Sequence, residues 1–398
     1  MKKLLFVTWD GPQTRYMEGL FMPIYARLQA EGGLSFHVLQ FTWGDANRVA
    51  ETRAHADALG IAYTSFPILR KPHPALGSLL TLYRGYRFLK QYIATHQIDV
   101  VMPRSTFPAI LVNRLPRTGF QVLFDADGLP IEERVDFSGL SPQSRTYRWF
   151  KAEERRMLLG ADVVITRSQA AIAVHLQTLG EAYRSKFHVV YNGRDAHFFS
   201  RQPEQALSLR KALEIPADAF VFVYCGSLGP QYGWEAMQTI FARYRETQPN
   251  AYFLILTGNT EFAIRHTPAS QASHTLIRSV PFAEVPAYLS LAQVAFALRE
   301  PKPSMRGVAP IKLGEYLLMG LPTIASRGIG DTEDLLRETP HCFLWDAQLT
   351  PPDYDGVLAW LQTLSTADPT ALRATGLQYF TLEQSVASYQ KAFHSLFN

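Results

Sequence analysis

Within RGVAPIKLGEYLLMGLPTIAS (306–326), Lys312 and Glu315 stand three residues apart where a helical pattern begins, so both side chains leave the same helical face. Pro310 suits the first turn, where a missing N–H costs nothing, and Ile311 follows it; Gly320 and Pro322 mark the end. A first helical turn offers unpaired backbone N–H groups and the positive end of the helix dipole. An ammonium group there is suited to a diphosphate. A carboxylate one turn on can accept two hydrogen bonds from a vicinal diol such as a ribose. The same residue types are also compatible with a surface helix and a solvated Lys–Glu pair.

The elements that would position such a site are short apolar runs alternating with longer helical patterns. KLLFVTW (3–9), LSFHVLQFTW (34–43), IDVVMPR (98–104), GFQVLFDAD (119–127), ADVVITRS (161–168) and FHVVYNG (187–193) read as strands of one array. The pattern pauses from about 195 to 216. It restarts with FVFVYCGSL (220–228), AYFLILTGN (251–259), HTLIRSV (274–280), VAFALRE (294–300), LPTIAS (321–326) and HCFLW (341–345). Strands separated by helices of this length form parallel sheets covered on both faces. The expected fold class is α/β, with two Rossmann-like, doubly wound domains facing across a cleft, roughly 1–195 and 196–375, and with 376–398 returning to the first.

In such sheets ligands bind beyond the carboxyl ends of the strands. Gly11, Thr14 and Arg15 follow the first strand, and glycine permits close backbone approach. Arg104 ends another strand, and Asp125 and Asp127 end a third. In the second half, Gly226, Ser227 and Tyr232, then Gly258 and Asn259, then Val280 and Phe282, occupy strand ends. Each of these is also compatible with an ordinary turn or a packing role.

The chain has 398 residues, 47% apolar and 19% charged, with a formal net charge of +4. That length exceeds what one core usually serves, and the charge is too small for a typical nucleic-acid surface. Two cysteines make no disulfide framework, and no Cys/His cluster has zinc spacing. Nothing resembles a secretory h-region or an 18-residue apolar span, so a soluble, cytoplasmic protein is expected. No Walker loop, G-x-G-x-x-G, G-x-S-x-G or H-E-x-x-H is present, and none of the eleven histidines pairs with a nucleophile motif.

The segment SLLTLYRGYRFLKQYI (78–93) sets Arg84, Arg87 and Lys90 against Leu79, Leu82, Tyr83, Tyr86 and Leu89. It reads first as a core-facing helix with a solvated basic edge. The second reading is peripheral contact with an anionic membrane.

PIKLGEYLLMGLPTIAS also resembles the nucleotide-sugar signature of the GT-B superfamily, specifically its retaining, family-4-like glycosyltransferases, through Lys312, Glu315, Tyr316, Gly320, Leu321 and Pro322. Four further segments are similar to family elements in the expected order. They are ADVVITRS, the linker VVYNGRDAHFF (189–199), the glycine loop YCGSLGPQYG (224–233) and the tail helix YFTLEQSVASYQKAF (379–393). DADGLPIEERVDF (125–137) is similar to a segment of the surface-polysaccharide subset, with Asp127 where that subset has an arginine. The chain departs from the pattern in two places. Gly307 stands where the family has a glutamate, and Ser227 where its glycine loop has an arginine, with Gln231 and Tyr232 near a lysine position. Arg306, Lys302 and Arg299 are the candidate replacement cations.

The resemblance implies transfer of a sugar from a UDP- or GDP-type donor to a hydroxyl acceptor, glycan or lipid-linked, with retention of configuration and without a metal or other cofactor. Lys312, Asp127 and Arg306 would act in catalysis, and Glu315 would orient the ribose. Gly226, Ser227, Tyr232, Pro310, Ile311, Gly258, Asn259, Val280 and Phe282 would hold the donor. Gly11, Thr14, Arg15, Arg104 and Asp125 would lie toward sugar and acceptor. Two alternatives stay open: a nucleotide-sugar 2-epimerase on the same fold, and a catalytically weak nucleotide-sugar-binding subunit.

Overall fold

The structure, a computed structural model, describes residues 1–397 except Gln13, Thr14 and Pro72, with Ser365 and Thr366 described by backbone alone. The chain divides into two compact units, Met1–Tyr191 with Ser385–Asn398, and Asn192–Gln384.

In the first unit, β1 (Lys2–Asp10), β2 (Leu34–Thr42), β3 (Ala62–Pro67), β4 (Val100–Pro103), β5 (Gln121–Asp127), β6 (Val163–Thr166) and β7 (Phe187–Val189) form one sheet in the order β3-β2-β1-β4-β5-β6-β7. Every pairing is parallel. Leu4–Val7 are fully buried, as expected for a strand covered on both faces. The apolar runs mark every strand here except β3. Its sequence, AYTSFP, lies at the sheet edge with only Tyr63 buried, so a continuous apolar run is not required there. The helices of this unit include α1 (Pro74–His96), α2 (Thr106–Val112) and α3 (Arg145–Gly160).

In the second unit, β8 (Val221–Cys225), β9 (Tyr252–Leu256), β10 (Thr275–Arg278), β11 (Val294–Ala297), β12 (Thr323–Ser326) and β13 (Cys342–Trp345) form a second all-parallel sheet, ordered β10-β9-β8-β11-β12-β13. Here α4 (Ile311–Leu318) is buried on nearly all sides, Lys312 to Leu318 included. A Schellman pair ends it: Leu321 N–H donates to Tyr316 C=O and Gly320 N–H to Leu317 C=O, both at 2.9 Å. Gly320 takes φ +63°, the left-handed conformation that such a stop requires.

The last helix, α5 (Leu382–Phe397), completes the first unit through its residues from Ser385 onward. Ser385 Oγ donates to Tyr191 C=O at 2.7 Å, and Tyr191 N–H donates to Ser388 Oγ at 3.2 Å. Tyr389 meets Tyr25 edge-on at 6.3 Å, and Tyr25 stacks on Phe36 at 4.6 Å. Tyr389, Phe393 and Leu396 are all buried, each contributing about 1.5–3 kcal/mol of apolar burial. The resulting architecture is the expected pair of doubly wound parallel sheets.

Candidate functional site

In the second unit, α4 starts at Ile311, with Pro310 as N-cap at φ −73° and ψ 106°. Proline has no side-chain acceptor, so the first-turn N–H groups meet no side-chain cap. Lys312 points back from this turn into the loop after β8. Its Nζ donates to Tyr224 Oη at 2.7 Å and lies 4.1 Å from the Tyr224 ring centroid and 4.4 Å from that of Tyr232. The Tyr224 hydroxyl in turn donates to the Ser227 carbonyl. The Tyr316 hydroxyl accepts the Cys225 N–H at 2.8 Å, so α4 also fixes the start of that loop.

Gly226 suits this turn through its backbone conformation, and a side chain here would displace the Lys312 ammonium. It takes φ +145°, and a Cβ would sit 2.9 Å from Lys312 Nζ. Arg299, just past the end of β11, places its guanidinium 4.9 Å from the Tyr232 ring centroid. Two cationic side chains thus lie within 5 Å of the centre of one tyrosine ring. Burial pushes the Lys312 ammonium down to about 7, and the Arg299 charge adds to that shift. A buried amine held beside a second cation is poised to gain its proton when an anion arrives.

Glu315, 8% exposed, accepts Arg194 Nε at 2.8 Å. One carboxylate oxygen is therefore fixed by a guanidinium, which orients the other. Arg306 is exposed on the 3₁₀ turn Pro303–Gly307, as is Lys302 just before it. Of the three candidate replacement cations, Arg299 is the one that shares Tyr232 with Lys312. Gly258 and Asn259 are exposed after β9, and Asn259 Nδ2 donates to Leu228 C=O of the glycine loop at 3.3 Å. Val280 packs partly into the core. Phe282, 51% exposed, stacks on Phe198 at 5.0 Å.

In the first unit, the carboxyl ends of β1, β4, β5 and β6 converge on a buried charge cluster. Arg104 lies 2.6 Å from Asp127, 3.7 Å from Asp10 and 3.9 Å from Asp125. Arg167 lies 2.6 Å from Asp125 and 3.7 Å from Asp127. Thr8 donates its hydroxyl proton to Asp10. Burial raises the Asp10 and Asp125 carboxyls above the usual range, against the opposing pull of the arginines. The carboxylates hold both guanidinium groups firmly charged against burial. Asp127 is the outermost carboxylate, 29% exposed by side chain, while Asp125 is fully enclosed.

The backbone beneath the cluster is unusual. The β5–β6 register shifts between Asp125 and Asp127, and Asp127 adopts φ +64°. Ser105, beside Arg104, adopts φ +65° and ψ −167°, a region nearly confined to glycine. Such conformations persist when the surroundings over-determine them, and they concentrate at functional sites.

Gly11 follows Asp10 and is half-buried; Arg15 lies at the surface, 3.5 Å from Glu51. Thr14 lies outside the described residues. The sequence did not single out Arg167, Arg194, Asp10 or Tyr224. Arg167 had a visible signal, a cation directly after the apolar strand VVIT, and Arg194 sits in the NGRD linker. Nothing local in FVFVYCG distinguishes Tyr224 from a core tyrosine.

Residues 25–198 match the family model for Glycosyltransferase Family 4. No curated protein matches the chain in sequence. Among solved structures, Anabaena Alr3699/HepE in complex with UDP-glucose superposes with a TM-score of 0.74 at 16% identity over 100% of both chains. Sucrose-phosphate synthase from Thermosynechococcus elongatus gives 0.73 at 15% identity, over 100% of this chain and 99% of that one. WaaG, a glycosyltransferase involved in lipopolysaccharide biosynthesis, gives 0.66 at 15% identity over 99% and 100%. The two parallel-sheet units thus share the fold of these glycosyltransferases, and residues 25–198 of the first unit and its exit match the family 4 model.

Proposed function

We propose that the chain moves a sugar from a nucleoside diphosphate sugar to a hydroxyl acceptor with retention of configuration. The observation that carries this reading is the paired cation site of Lys312 and Arg299 at Tyr232, beside the uncapped start of α4. The HepE complex with UDP-glucose supports a uridine donor.

In this reading the sugar C1–O bond breaks toward the diphosphate, and a C1–O bond to the acceptor forms on the same face. The acceptor proton passes to the departing diphosphate oxygen. The first-turn N–H groups, Lys312 and Arg299 stabilise the charge that develops there, which leaves no need for a metal. Glu315, held by Arg194, takes the ribose hydroxyls. Asp127, held by Arg104 and Arg167, receives acceptor or sugar hydroxyls. Gly307 favours a second reading, nucleotide-sugar binding without turnover, because no side chain is present where the family carries its glutamate.

The test is calorimetry with UDP and GDP, followed by NMR of the product from the matching sugar nucleotides with EDTA present. UDP binding, and a product with the donor's anomeric configuration, are the expected results. An inverted product would overturn retention. Tight binding with no turnover on any acceptor would establish the second reading.

A further inference from the structure

The helix α1 presents outward an apolar stripe that the nucleotide site does not use. Leu76, Leu79, Leu80 and Tyr83 are 54, 52, 50 and 58% exposed. Their spacing places all four on one helical face. On the opposite face Gly77, Thr81, Leu82, Gly85, Leu89 and Tyr92 are buried. The segment therefore splits differently from the expected single apolar face, with Leu82 and Leu89 turned inward and Leu79 and Tyr83 outward. Close packing fixes this rotation. A Cβ on Gly77 would lie 2.1 Å from Leu69 C=O, and one on Gly85 would lie 2.6 Å from the Phe41 ring. The helix cannot roll to bury its leucines.

Beside the stripe opens a cavity of about 270 Å³, lined by Leu79, Tyr83, Tyr86, Leu111 and Trp149 together with Arg114. Residues 68–98 hold Arg70, Lys71, Arg84, Arg87 and Lys90 and no aspartate or glutamate. All five cations are exposed. Arg87 and Lys90 continue the outward face beyond Tyr83, and Arg87 donates to the Tyr83 hydroxyl at 2.5 Å. The face is thus apolar in its first two turns and cationic around them. A second copy of the same face would oppose like charges. An anionic bilayer satisfies both halves, taking leucine and tyrosine into the interface and drawing arginine and lysine to its headgroups.

We propose that this face of α1 docks on an anionic phospholipid bilayer, with Leu76, Leu79, Leu80 and Tyr83 entering the interface and Arg84, Arg87 and Lys90 at headgroup level. The proposal goes beyond sugar transfer and does not depend on it.

Flotation with vesicles, in the absence of any sugar nucleotide, tests it. The full chain is expected to float with phosphatidylglycerol–phosphatidylcholine vesicles and not with phosphatidylcholine alone, and to be released by high salt. Leu79→Glu with Leu80→Glu lowers the partition more than tenfold. Arg84→Glu, Arg87→Glu and Lys90→Glu together lower it about a hundredfold. Because these positions are exposed, thermal unfolding and UDP binding stay at wild-type values. Failure of the wild type to float overturns the proposal, as does equal flotation of the variants or equal binding to neutral vesicles. A dimer in sedimentation velocity that Leu79→Glu with Leu80→Glu dissolves, with no flotation, assigns the stripe to self-association instead.

Discussion

Lys312 Nζ donates to the Tyr224 hydroxyl at 2.7 Å, and among the described residues no carboxylate forms an ion pair with it. Burial therefore lowers its pKa from 10.5 to about 7. A diphosphate would restore the charge, so binding takes up a proton above pH 7. UDP affinity is expected to hold below pH 7 and to fall about tenfold per unit above it. Calorimetry in buffers of different ionisation enthalpy reads the proton directly. Lys312→Ala should weaken UDP by more than about tenfold, or 1.4 kcal/mol; an unchanged constant would remove Lys312 from the site.

The same shift has a signature in stability. Between about pH 7 and 10.5 the unfolded chain binds a proton at this lysine that the folded chain lacks. Unfolding free energy then rises with pH across that window, and the lysine's cost is greatest below it. Lys312→Met should lose this rise. Urea titrations at pH 7 and pH 9.5, wild type against variant, provide the measurement.

Arg194 and Glu315 meet at 2.8 Å with both side chains largely buried. Glu315→Gln keeps the shape, loses the charge and should weaken UDP about tenfold, near 1.4 kcal/mol. Arg194→Met leaves the carboxylate unpaired and should also lower stability by about 1–3 kcal/mol. Equal effects of the two variants on unfolding would contradict this division.

Arg167 is the principal counter-charge of the fully enclosed Asp125. Arg167→Met should cost about 3–5 kcal/mol, because a buried carboxylate loses its close partner. Arg167→Met with Asp125→Asn should recover part of that loss. Chemical denaturation separates the cases, and a simple sum of the single effects would show that the two residues are uncoupled.

Asp127 stands at the exposed edge of the same cluster. Asp127→Asn should lower turnover at least tenfold while the UDP dissociation constant stays at the wild-type value. A parallel change in UDP binding would count against its assignment to sugar or acceptor.

Most of the fold was legible because buried parallel strands must be continuously apolar, as FVFVYC and ADVVIT are. AYTSFP escaped because an edge strand answers to no such demand. Lys312 and Glu315 were visible through their placement in one helical turn. Their partners Tyr224 and Arg194 lie 88 and 121 residues away, and such pairings are set by tertiary structure, not local spacing. Arg299 shows a related limit. Sequence offered it together with Arg306 and Lys302, and only the position of Tyr232 distinguishes them.

Because Ser385–Asn398 belong to the same compact unit as Met1–Tyr191, that unit is left open while nearly two hundred intervening residues are being translated. At ribosomal speeds of about 5–20 residues per second, the first unit, translated as far as Tyr191, waits roughly 10–40 seconds for the helix whose Tyr389 and Phe393 meet Tyr25 and Phe36. During that interval a nascent aromatic surface is uncovered, which makes this segment a natural client for chaperones.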